Sequence, residues 1–152
     1  MRQLDDAEID ETLQTVGIGT LSMVDGEQPY GIPVPFGYGD GEINFLLQTD
    51  RGAESRKLTA LGENARVCLT AVDEEQEPEV WRSVVVTGEL VAVPAEREAD
   101  AINALADNAA FAPGYSVVDA PPESIDLHVF RLEPTEISGR EFSEQGISDG
   151  GR

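Results

Sequence analysis

The chain has 152 residues, 40% hydrophobic and 26% charged, which fits one globular domain around one core. Thirty acids face ten bases, for a formal net charge of −20. That field repels nucleic acid and anionic membranes, and no apolar run approaches the ~20 residues of a membrane-spanning helix, so both are excluded as partners. Cys68 is the single cysteine, which rules out an internal disulfide framework, and one histidine with one cysteine cannot build a structural zinc site. Nine of the ten bases are arginine, and Lys57 is the only lysine. Such a surface reads as adaptation to high salt, where self-repulsion is screened. The first residues, Met1 to Asp6, contain no apolar stretch of the secretory kind, so a cytoplasmic location is expected.

In chain order, Asp5-x-x-Glu8 is a capping-box pattern, and Leu4, Ile9, Leu13 and Val16 recur at roughly helical spacing. A helix is predicted over 6–15. A strand over 17–24 runs into Asp25-Gly26, a hairpin signal. The next strand, 28–38, contains Pro29, Pro33 and Pro35. Proline cannot donate to a ladder, so this strand is expected at an edge or paired on one side, with carbonyls free for a ligand. Gly39-Asp40-Gly41 is a second tight turn before a strand over 42–48. After a loop, Ser55 can cap a helix over 56–63. Strands follow over 65–73 and 81–93, separated by an acidic loop over 73–79. Val84, Val85 and Val86 are expected to be buried on both faces. A helix over 95–106, an irregular segment over 108–124, and strands over 127–132 and 137–140 complete the domain. Residues 1–142 form that domain, and 143–152 read as a flexible polar tail. The class is mainly β: a small antiparallel barrel with peripheral helices.

The segment that carries chemistry is Ser55-Arg56-Lys57. Arg51, Arg56 and Lys57 place three of the ten bases within seven positions of a very acidic chain. Cations in the first turn of a helix oppose its dipole at a cost of ~0.3–1 kcal/mol each. A bound phosphate reverses that argument, because free N–H groups, a hydroxyl and two cations then converge on one anion. The other reading is a solvated patch paired with Glu54 and Glu63.

Several stretches taken together resemble a known family. Gly31-Ile32-Pro33-Val34-Pro35-Phe36, a turn, Ile43-Asn44-Phe45-Leu46-Leu47-Gln48, a loop and Ser55-Arg56-Lys57 resemble the flavin site of the pyridoxamine 5′-phosphate oxidase-like split barrels. Trp81 to Gly88 and Phe130 to Arg140 are similar to two later strands of that family, so the resemblance spans about residues 13–141. It implies a six-stranded antiparallel FMN-binding split barrel, in a member of haloarchaeal type, working as a homodimer with FMN at the subunit interface. By the same resemblance, Arg56 and Lys57 hold the FMN phosphate with Ser55. Pro33, Val34, Pro35 and Phe36 line the ring with backbone groups, and Leu46, Leu47 and Gln48 lie along the ribityl chain and ring. Ser83 stands where the oxidases carry a flavin-reaching glutamine, and Arg82 is a candidate contact to a second subunit.

The closing strand departs from the oxidases. It continues into Ser138-Gly139-Arg140-Glu141 without their tryptophan–arginine pair. A flavin-dependent oxidoreductase acting on another small molecule is therefore expected. A non-catalytic flavin protein for storage, sensing or stress, or a barrel using deazaflavin or haem, are the alternatives. No side chain stands out as an acid or base. His128 alternates with apolar neighbours on a strand and reads as structural, and Cys68 reads as a buried thiol. Trp81 either stacks on a cofactor or caps the core. Gly37-x-Gly39-x-Gly41 lies between strands and reads as a hairpin rather than a dinucleotide loop.

Overall fold

The capping box at the first helix is formed in full. In the computed structural model, which describes residues 1–50, 65–76, 79–100 and 125–143, the Asp5 side chain accepts from the Glu8 N–H at 2.8 Å. The Glu8 carboxylate in turn accepts from the Asp5 N–H at 3.1 Å. The helix, α1, spans Asp6–Thr15, as the sequence predicts. It buries Ile9, Thr12 and Leu13, and the Thr12 hydroxyl is satisfied by the Glu8 carbonyl. Leu13 is fully buried, and burial of a leucine side chain contributes ~1.5–3 kcal/mol.

The strands are β1 (Arg2–Gln3), β2 (Ile18–Asp25), β3 (Gln28–Gly39), β4 (Glu42–Asp50), β5 (Ala65–Gln76), β6 (Glu79–Ala92) and β7 (Ile125–Ser143). The order β7-β4-β3-β2-β5-β6 closes on itself through β6–β7 pairing, giving a six-stranded antiparallel barrel. The short β1, which the sequence does not announce, adds to the margin of β7 at Arg2–Glu141 and Gln3–Arg140. Both predicted tight turns are present. Gly26 has φ +65°, and Asp40 and Gly41 have φ +53° and +76°. Positive φ at both central residues is what a two-residue hairpin requires at Asp40-Gly41.

Inward residues alternate with outward ones along each strand. Leu21, Val34, Phe36, Ile43, Phe45, Leu69, Val84, Val86 and Leu132 form the buried interior. The rings of Phe36 and Phe45, directly opposite on β3 and β4, lie 6.5 Å apart and tilted, a favourable arrangement for aromatic pairs. Helix α1 closes one end of the barrel with Ile9 and Leu13, packing on β3, β5 and β6.

Four expectations change. The acidic stretch predicted as a loop over 73–79 is strand at its described residues, 73–76 and 79: β5 and β6 stay paired through Asp73–Arg82 and Glu74–Trp81 to Gln76–Glu79. Asp73 stands opposite Arg82 in that register. The two predicted closing strands are one strand, β7, whose register skips Thr135 between Thr87–Glu136 and Gly88–Pro134. That bulge absorbs the missing donor of Pro134 without ending the strand. Gly88 is required there, because a Cβ would stand 2.0 Å from the Glu133 carbonyl oxygen. Of the three valines expected to be buried, Val84 and Val86 are fully so, while Val85 on the outer face is half-buried. Cys68 is likewise half-buried, because Val67 and Leu69 take the inward positions on either side of it.

The helix predicted over 95–106 begins as a single 3-10 turn, Ala95–Arg97, and continues helically over 98–100. Its remainder lies outside the described residues, as do the helix predicted over 56–63 and the tail beyond Ser143. Among the described residues no helix is long and apolar enough to cross a membrane.

Candidate functional site

β3 is paired on one side at a time. Residues Gln28 to Pro35 pair with β2, and Phe36 to Gly39 pair with β4. The Asp25–Gln28 pair flanks a two-residue turn, so it exchanges both backbone hydrogen bonds, and every second pair after it does the same. Tyr30, Ile32 and Val34 therefore bond to β2, and the Phe36 N–H continues the series to the Gly17 carbonyl at 2.9 Å. Pro29, Gly31, Pro33 and Pro35 turn their main-chain groups the other way. Three of these four lack an N–H, so the edge offers carbonyls and a single donor, at Gly31.

β4 faces that edge but does not pair with it. Beyond Phe45 it leaves β3 and pairs with β7, through Leu46–Val129, Leu47–His128 and Gln48–Leu127. Alternation along β4 directs the N–H and C=O of Leu46 and Gln48 toward β3 and those of Leu47 toward β7. Among the described residues, an acceptor row on β3 and a mixed donor–acceptor row on β4 are thus left unpaired with each other. Of the expected ring-lining residues, Pro33 is exposed on this opening, whereas Val34, Pro35 and Phe36 are buried. Val34 and Phe36 point into the core and turn main-chain groups toward β2, so the backbone groups on this edge are those of Pro33 and Pro35. The side chains of Leu46, Leu47 and Gln48 lie outside the described residues, as does the whole of Ser55-Arg56-Lys57.

Arg82 and Ser83 are neighbours in sequence and point to opposite faces of β6. Arg82 faces α1 and is held there by carboxylates. Its Nε donates to Glu141 at 3.0 Å, and its Nη atoms lie 3.5 Å from Glu8 and 3.7 Å from Glu11. Arg2 closes the ring, donating to both oxygens of Glu8 at 2.9 and 2.6 Å and to Glu141 at 3.0 Å. The hydrogen bonds from Arg2 and from the Asp5 backbone bring the Glu8 carboxyl down to about 2. Burial pushes Glu141 up, but hydrogen bonds from Arg82 and Arg2 outweigh it and hold its carboxyl below the usual range. The Glu141 hydrogen bond in turn raises Arg82 further. Arg82 is therefore engaged within its own chain. The sequence signal for this clasp, Glu8 in a capping box and Glu141 beside Arg140, is visible only once β6 and β7 are in register.

Ser83 lies on the outer face opposite Arg140. On the far side of the barrel, the Tyr38 hydroxyl donates to Asp10, tying β3 to α1. Burial and that bond push the phenol up to about 12. Among the described residues no group of three His, Cys, Asp or Glu side chains could hold a metal.

Known structures share this architecture. A FAD-binding protein from Mesorhizobium loti superposes with TM-score 0.74 at 23% identity, over 94% of this chain and 97% of its own. The FAD binding protein of Mycobacterium smegmatis superposes with TM-score 0.67 at 23% identity, over 94% and 99%. The FAD and heme binding protein of the same organism gives 0.68 at 18% identity, over 100% and 82%. At these identities the likeness establishes the fold, the split barrel expected from the sequence. No curated protein matches the chain. The family model described as pyridoxamine 5′-phosphate oxidase matches residues 5–141, nearly the whole barrel from the capping box of α1 to the Glu141 carboxylate, and the chain belongs to that family.

Proposed function

We propose that this chain binds FMN in the cleft between β3 and β4 and acts with it as an oxidoreductase on a small molecule other than pyridoxamine phosphate. The observation that carries this reading is the unequal pair of backbone rows. A flavin ring edge combines carbonyl acceptors with a ring N–H. The carbonyls of Pro33 and Pro35 fit the N–H, and the N–H groups of Leu46 and Gln48 fit the carbonyls. Ser55, Arg56 and Lys57 would take the phosphate. Bound flavin would supply two-electron chemistry, while the chain supplies position and electrostatics. The FAD-binding proteins that share the fold support a flavin ligand.

The working unit in this proposal is a homodimer. Its support is a neutral outer face on β2, β5 and β6, carrying Thr20, Ser22, Cys68, Thr70, Val85 and Thr87. On a chain of net charge −20, two copies meet with least repulsion where charge is sparse. Ser83 borders this face and stays on the cofactor side of the proposal. The acid-loaded, lysine-poor composition supports a cytoplasm of high salt as the setting.

Purified protein showing the two visible bands of oxidised flavin, released as FMN on denaturation, is the expected result. A colourless protein that takes up no added FMN would sink the proposal. Arg56→Ala with Lys57→Ala should lose FMN while leaving riboflavin binding nearly unchanged, since charge-assisted contacts contribute ~1.5–3 kcal/mol each. Bleaching by NADH or NADPH, followed by reoxidation by a defined acceptor, separates an enzyme from a passive flavin carrier. Preference for FAD, deazaflavin or haem over FMN in the same assay would redirect the cofactor assignment.

A further inference from the structure

Exposed apolar side chains are unevenly spread over this barrel. Of the six large ones among the described residues, three, Ile18, Val24 and Val72, stand on one face. Ile18 and Val24 flank Thr20 and Ser22 on β2, and Val72 follows Thr70 on β5, all turned outward by the pleat. Thr20 lies opposite Thr70, and Ser22 opposite Cys68, so the face runs unbroken across the two strands. None of these side chains is charged. At the margin Arg66 stands opposite Glu89, a cation against an acid. The net charge of −20 is therefore carried outside this face.

That placement separates two forces by their range. Contact between two such faces removes apolar surface from water and acts only where they touch. Repulsion among the acids elsewhere acts across both copies, and salt controls it. The screening length is ~10 Å at 0.1 M and ~3 Å at 1 M. At the lower salt, acids around the contact still oppose one another across it, and at the higher salt they do not. Complexes held by opposite charge weaken as salt rises. Here the sign is reversed.

We propose that salt gates the pairing of two copies through this face, with molar salt closing the pair and low salt opening it. The inference rests on the homodimer reading above and adds its control. If the flavin site is completed at the contact, salt acts on flavin binding in two opposite directions. It weakens the hold of Arg56 and Lys57 on the phosphate and strengthens the pairing that assembles the site. At 0.1 M salt, flavin affinity then depends on protein concentration.

Sedimentation velocity at 0.1 and 1 M KCl, with circular dichroism on the same samples, tests the gate. Dimer affinity should rise at least ~10-fold at the higher salt while the β spectrum stays native. Some salts also strengthen apolar contact directly, so a charge variant separates the causes. Asp40→Asn with Glu96→Gln and Asp100→Asn removes three exposed acids that lie off this face, in the β3–β4 turn and after β6. Removing three charges takes −20 to −17, and asparagine tolerates the left-handed backbone at position 40. Repulsion follows the product of the two charges and falls by about a quarter. The variant should therefore pair at least ~3-fold more tightly at 0.1 M and nearly equally at 1 M. Equal dimer affinity at both salts, or tighter pairing at 0.1 M, overturns the gate and leaves the homodimer standing. Monomer at every salt and concentration overturns both. An unchanged salt response in the triple variant overturns the gate, because charge is then not its cause. Loss of the dimer only where the native spectrum is also lost does the same. Sedimentation needs no flavin, so failure to bind FMN bears on the cofactor reading alone.

Discussion

The two faces of the β6–β7 ribbon use the same strands to opposite ends. Toward α1, Arg82 and Glu141 face each other and join Arg2 and Glu8 in a ring of alternating charge. Away from α1, at the adjacent rung, Ser83 and Arg140 face each other, and among the described residues no carboxylate pairs with Arg140. The pleat places sequence neighbours on opposite sides, so Arg82–Ser83 and Arg140–Glu141 are each divided between a closed electrostatic circuit and an open surface. Cations of identical chemistry therefore differ in surroundings: Arg82 fastens the helix through carboxylates, and Arg140 has the Met1 sulfur as its polar contact.

The largest effect expected on the α1 side comes from apolar packing. Leu13→Ala should cost ~2–5 kcal/mol in denaturant unfolding, since the side chain is fully buried where the helix meets the barrel. Gly139→Ala should cost ~1–3 kcal/mol by the same measurement. A Cβ there would stand 2.9 Å from Ile9 Cγ1 and Leu4 Cδ1, pushing the helix off the ribbon. Arg82→Met should cost about 1 kcal/mol, because its ion pairs are only partly shielded from solvent.

A pH titration sharpens the contrast further. The Glu8 carboxyl lies at about 2 in the folded chain against 4.5 ordinarily. Its contribution is thus present above 4.5 and disappears as pH falls through about 2. Arg2→Gln should move its NMR titration midpoint back toward the ordinary value. The smallest effect belongs to the other face: Arg140→Gln should change stability by less than ~0.5 kcal/mol. A cost for Arg140 equal to that for Arg82 would erase the distinction between the faces.

How much of this was legible beforehand follows from the range of the interactions. Helix α1 and both tight turns are encoded within a few residues, by Asp5 and Glu8, by Asp25-Gly26 and by Asp40-Gly41, and they form as read. One-sided pairing of β3 follows from its prolines, again a local rule. The bulge at Thr135 is not local: it exists because Gly88, far off in sequence, lets the Glu133 carbonyl approach. The paired ends of β5 and β6 are hidden for a similar reason, since Asp73 to Gln76 look like loop until Arg82, Trp81, Val80 and Glu79 lie opposite them. Arg82 itself was legible as a special cation, but its partners arrive from α1 and β7. The backbone cleft could be anticipated in part from Pro33 and Pro35, while Ser55-Arg56-Lys57 lies outside the described residues.

The prolines of β3 have one more consequence, for copies of this chain that meet edge to edge. An open strand edge invites another strand to dock and continue the sheet, the route to uncontrolled aggregation. Pro29, Pro33 and Pro35 withhold three of the four donors such a strand would need along this edge. Each missing bond forgoes ~0.5–1.5 kcal/mol and leaves an incoming acceptor unsatisfied. Where salt screens the charge of −20, repulsion no longer keeps copies apart at short range. The edge then remains a poor template through its covalent chemistry, at any ionic strength and whether or not a ligand fills the cleft.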